Sequence, residues 1–79
     1  MARYFFHQRR RQELFVDEEG SEFDSDRRAL EEAMTSAREM MSEAILEGRD
    51  VSGRAFEVMD EQGRKVIILP FRDTIIPED

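Results

Sequence analysis

The chain has no cysteine, which excludes disulfides and thiolate metal sites and makes an intracellular setting more natural than a secreted one. It also lacks any long hydrophobic run. The opening Met1-Ala2-Arg3-Tyr4-Phe5-Phe6-His7 holds three successive aromatic residues before His7 and a basic stretch, too few for a signal peptide or a membrane span. The expectation is a cytoplasmic protein that does not engage a membrane. Histidine is equally scarce: His7 stands alone, with no Ser or carboxylate arranged beside it for nucleophilic or acid–base work. No catalytic residue is assigned, and the chain reads as non-enzymatic.

What is present is charge. Charged residues make up 39% of the 79 residues and hydrophobic ones another 39%, with a net charge of −7. That mixture builds a core when the apolar residues are periodic. The length fits one domain over residues 1–79, with 72–79 expected as a partly ordered tail. A core this small barely offsets chain entropy. With no disulfide or metal to help, self-association as a homodimer gains weight.

Arg3–Gln8 and Glu13–Asp17 are short β-prone runs separated by Arg9, Arg10 and Arg11, which predicts a β-hairpin with an unusually basic turn. Asp17-Glu18-Glu19-Gly20 reads as a second turn, with Gly20 taking a positive φ. Ser21–Phe23 follows as a possible brief third strand. From Ser25 to Glu47 there is neither glycine nor proline, and the composition is that of a strong helix, capped by Asp24 or Ser25 and ended by Gly48. At helical spacing Leu30, Ala33, Met34, Ala37, Met41, Ala44 and Ile45 form one stripe. Leu46 projects to the polar side, free to cover Val51 or to meet another chain. Phe56 and Val58 then alternate with Ala55, Glu57 and Met59. The run Val66–Leu69 is continuously apolar up to Pro70 and is expected to be buried on both faces for part of its length.

The fold class predicted is α+β: a β-hairpin, a long amphipathic helix and a second β-hairpin (ββαββ), with the helix on one face of an antiparallel sheet. The other face is left open, and its apolar content makes a second copy the simplest cover.

The Arg3-Tyr4-Phe5-Phe6-His7 start, the Asp17-Glu18-Glu19-Gly20 turn, the alanine-rich helix and the closing Val66–Phe71 run together resemble a family of small bacterial, chiefly alphaproteobacterial, proteins known as a domain of unknown function. The likeness covers nearly the whole chain. In the first hairpin turn, where members of that family often carry Gly and Asp, this chain has Arg10, Arg11 and Gln12. The resemblance implies a bacterial cytoplasmic origin and assigns no activity to any residue.

Against that background the individual features divide into structural and functional readings. Asp17, Glu18 and Glu19, like Asp60 and Glu61, lack the alternating oxygen ligands and closing Glu of a calcium loop. They read as turn residues, and neither metal nor cofactor is predicted. Met34 and Met41 read as core, whereas Met40 lies at the stripe's margin. Residues 1–11 hold four arginines and no acid, leaving 8 basic against 19 acidic residues in the rest. With the strand-1 aromatics, the Arg9–Arg11 turn suggests a nucleic-acid binder, and the overall charge argues against it. A structural alternative pairs the turn with Glu43 and Glu47 at the helix C-terminus, where negative charge is disfavoured. The acidic helix face of Glu32, Glu39 and Glu43 reads first as solvated and second as a dock for a basic partner. The candidate interface residues are Tyr4, Phe5, Phe6, Arg9, Arg10, Arg11, Met40 and Leu46.

Overall fold

A computed structural model describes residues 1–78. Strand β1 (Ala2–Arg10) turns through a two-residue loop into β2 (Glu13–Phe15), and β3 (Ser21–Phe23) returns to the same side of β1. Helix α1 (Asp26–Leu46) follows, then β4 (Ala55–Asp60) and β5 (Lys65–Pro70), and a short 3-10 turn at Phe71–Thr74. All pairings are antiparallel, in the order β2-β1-β4-β5, with β3 continuing the β2 edge along β1. The α+β class with strands before and after one helix is therefore present. Ser21–Phe23 is a fifth strand, paired through Ala2, Arg3 and Tyr4.

The helix forms where its sequence permits and stops where it must. The Ser25 side chain accepts a hydrogen bond from the Arg28 N–H at 3.1 Å, and Asp26 sits at the positive end of the dipole. At the other end Gly48 takes φ 79°. Its N–H reaches the Ile45 carbonyl at 2.9 Å, and the Arg49 N–H reaches Ala44 at 2.8 Å. This pair of bonds satisfies carbonyls that would otherwise be orphaned, in a conformation that glycine adopts without strain.

The buried stripe is Ala29, Ala33, Ala37, Met41 and Ala44. Four alanines let the helix lie close to the sheet, and the sheet supplies the bulk. Phe56 packs against Phe71 with ring centroids 4.9 Å apart, Phe6 touches both Phe56 and Phe23 at 5.8 Å, and Tyr4 meets Phe23 at 6.1 Å. These tilted and stacked rings concentrate most of the core's volume on one sheet face. Leu30 and Met34 pack at the core's border. Ile45, expected on the buried stripe, is instead 66% exposed. It lines an open groove between the helix end and Ile75, while its neighbour Ala44 takes the covered position.

Strand β5 also departs from expectation. A register shift opposite Val58 and Met59 lets the consecutive Val66 and Ile67 both pack against the core, after which the strand alternates: Ile68 points to the open face and is 48% exposed, and Leu69 is buried. The strand is covered on one side only, because the single helix leaves the far side of the sheet bare. Of the tail expected over 72–79, residues 72–74 belong to the 3-10 turn, with Phe71 and Thr74 buried. Asp79 lies outside the described residues.

Candidate functional site

Helix α1 runs in the direction of β1, so its N-terminus lies over Tyr4 and Asp60 and its C-terminus near Arg10 and Arg54. At the first end the Tyr4 hydroxyl donates to Asp26 Oδ1 at 2.7 Å, and Arg64 bridges Asp26 Oδ2 and Asp60 Oδ2, both at 2.9 Å. Asp60 also accepts the backbone N–H groups of Gln62 and Arg64. The Tyr4 hydroxyl and Arg64 hold the Asp26 carboxyl below its ordinary range. Burial pushes Asp60 up, but the Arg64 and Gln62 bonds outweigh it and the net direction is down. Tyr4 is raised, chiefly by its bond to Asp26. This network ties strand, helix and turn together. Nothing in residue spacing signals it, because its members meet only after the chain has folded.

The Asp-Glu-Glu-Gly segment has a structural task as well. Between the stretches paired with β2 and β3, the Phe6 N–H on β1 has no strand partner and donates to Asp17 Oδ2 at 3.0 Å. Asp17 Oδ1 accepts from Gly20, and the Asp17 N–H donates to His7 Nδ1 at 3.0 Å. His7 is thereby an acceptor in the edge of the sheet, and Asp17 replaces missing ladder bonds. Among the described residues no three His, Asp or Glu side chains gather as they would around a metal ion.

Two surfaces remain. The first is the open face of the sheet. Register places Leu14, Arg9, Ala55 and Pro70 across it in one row, His7, Glu57 and Ile68 in the next, and Phe5, Met59 and Lys65 in the third. Near its centre Arg9 Nε holds Glu57 Oε2 at 2.9 Å, which keeps the Glu57 carboxyl below its usual range. Phe5 stacks on His7 with centroids 6.3 Å apart. The face is thus a mixture of apolar side chains around a charge pair.

The second surface is a groove of about 530 Å³ where the β1–β2 turn meets the loop after the helix, lined by Arg10, Arg11, Phe15, Arg49 and Arg54 with Glu13 and Asp50. Arg10 lies over the Phe15 ring, 4.4 Å from its centroid. Arg54 is lowered by burial first and then by repulsion from Arg10 and Arg49. A neighbouring apolar groove lies between the helix end and the C-terminal segment, lined by Met41, Ile45, Leu46, Val51 and Ile75.

The interface candidates fall on different sides. Phe5 and Arg9 lie on the open face, while Arg10 and Arg11 line the groove. Tyr4 is only 4% exposed and Phe6 packs against the core, so neither is presented at a surface; both point under the helix. Met40 likewise packs at the core's edge, whereas Leu46 is 86% exposed. The arginine turn does reach the C-terminal end of the helix, but among the described residues it pairs with neither Glu43 nor Glu47. Arg9 turns to Glu57 on the opposite face and Glu47 is held by Arg49. Arg49 and Arg54 were invisible as groove residues in the sequence, since only the fold brings the loop after the helix beside the turn.

Among the described residues, no helix is long and apolar enough to cross a membrane. No curated protein and no solved structure matches the chain. The model of one family, described as "Domain of unknown function (DUF6894)", matches residues 3–72. That match spans the sheet from Arg3 onward and the helix packed on it, and the chain belongs to this family.

Proposed function

We propose that the chain is a non-enzymatic association module of the bacterial cytoplasm whose first partner is a second copy of itself, docked through the open face of the sheet. The observation that carries this reading is the composition of that face. Phe5, Met59, Ile68 and Leu14 point away from α1, and Arg9 and Glu57 stand among them as an ion pair, with Lys65 and the Arg3–Glu22 pair toward one margin. Two copies related by a two-fold axis can set Arg9 against the partner's Glu57 and Glu57 against the partner's Arg9, so the charge pair is self-complementary. Apolar residues around it supply the area, and the ions fix register more than affinity. A domain of this size gains disproportionately from such burial.

Sedimentation equilibrium tests the reading. The expected result is a dimer at micromolar concentration that Ile68→Glu converts to a folded monomer, because Ile68 contributes to the open face and only slightly to the core. A wild-type monomer at high micromolar concentration overturns it.

A further inference from the structure

Most arginines of this acidic chain are neutralised internally. Arg3, Arg9, Arg27, Arg28, Arg49 and Arg64 each hold a carboxylate, and Arg38 and Arg72 donate to backbone carbonyls. Arg10, Arg11 and Arg54 differ from these, and all three line the groove at the end of the helix. Arg10 Nε and Arg54 NH1 converge on one neutral atom, Gln8 Oε1, at 2.8 and 3.2 Å. Two guanidinium groups thus share an amide oxygen where an anion would make stronger, charge-assisted bonds with both. Asp50, on the groove's wall, spends Oδ1 on the Ser52 N–H. Against Glu13 and Asp50, the four arginines Arg10, Arg11, Arg49 and Arg54 leave the groove's lining positive.

A second, independent observation concerns Arg11. It has φ 57°, the only positive value among the non-glycine residues described, in a two-residue hairpin loop where Gly, Asn or Asp is preferred. The side chain is exposed and makes no hydrogen bond among the described residues. Nothing local offsets the cost of an arginine in this conformation. Strain retained without a structural return points to a role in function.

We propose that this groove is a binding site for a compact phosphate-bearing ligand, held by Arg10, Arg54 and Arg11 with Gln8 as the neutral group the ligand displaces. Several guanidinium forks converging on one place suit a ligand with at least two negative charges, and phosphate oxygens match their geometry. The groove's volume of about 530 Å³ is that of a small-molecule site rather than a track for an extended strand. The site is independent of the open face, since Arg10 and Arg54 lie on the helix side of the sheet and Arg9 on the other.

Titration of the full chain with inorganic pyrophosphate, followed by amide chemical shifts, tests the site. Saturable shifts confined to the β1–β2 turn and the loop after the helix are expected. Gln8→Glu places an internal carboxylate between Arg10 and Arg54 at nearly unchanged shape. It and Arg54→Gln should each weaken binding by about tenfold or more. Arg11→Gly should weaken binding while raising the melting temperature, a combination that a purely structural arginine would not give. Absence of saturable shifts overturns the proposal. Equal binding by wild type, Gln8→Glu and Arg54→Gln does so too, since it means diffuse attraction. Binding of a single-stranded oligonucleotide with no response to pyrophosphate also rejects it, in favour of an extended nucleic-acid track.

Discussion

Individual side chains in this fold act mainly by closing gaps that regular structure leaves. Gly20 shows how tight those closures are. With φ 69°, a Cβ there would lie 2.8 Å from the Tyr4 carbonyl oxygen and 2.9 Å from the Phe5 ring. Gly20→Ala is therefore expected to destabilise the protein by about 1–3 kcal/mol, measured by urea denaturation. The glycine was legible as a turn residue from Asp-Glu-Glu-Gly alone. The reason it is needed was not, because it lies in β1, sixteen residues earlier. The carboxylates give a second prediction. Asp26, Asp60, Glu57 and Asp50 have depressed folded values, so the stability they supply is complete above their unfolded range and is lost as pH falls through the folded values. Tyr4 is raised, so its contribution is complete below its unfolded value and is lost as pH rises past it. The melting temperature followed by circular dichroism should hold a plateau from about pH 5 to 9, falling below about pH 4 and above about pH 10. In Asp26→Asn both limbs should flatten, since Asp26 is the first cause of the Tyr4 shift.

At the scale of elements, the helix is the part the sequence announced most clearly. Its cap at Ser25, its stop at Gly48 and its central stripe of Ala33, Ala37, Met41 and Ala44 follow from period and chemistry. Ile45 is the exception, because a helical wheel says which residues share a face and not what stands opposite each turn: Ala44 is covered, and Ile45 lines an open groove. The same applies to β5, whose four successive apolar residues conceal a register shift at Val66 and Ile67 followed by alternation at Ile68 and Leu69. The alanines carry the packing claim. Ala33 is fully buried beneath the helix, so Ala33→Leu should force helix and sheet apart and cost about 1–3 kcal/mol in equilibrium unfolding. Helix propensity barely separates these two residues and cannot account for a loss of that size.

For the molecule as a whole, one helix on a five-stranded sheet creates an asymmetry that organises everything else. The covered face collects most of the aromatic rings, the bare face collects Phe5, Met59, Ile68 and the Arg9–Glu57 pair, and one end gathers Arg10, Arg11 and Arg54. An open second face was legible from element order, since one helix cannot cover both sides. The division of the Arg9–Arg11 turn between two faces was not, because it depends on the strand continuing through Arg10 and so on alternating sides residue by residue. On the reading proposed above, the bare face is where this protein meets a second copy of itself. Sedimentation equilibrium of wild type beside Ile68→Glu tests it most directly: a dimer that the substitution returns to a folded monomer is predicted, and a wild type that stays monomeric at high micromolar concentration would contradict it.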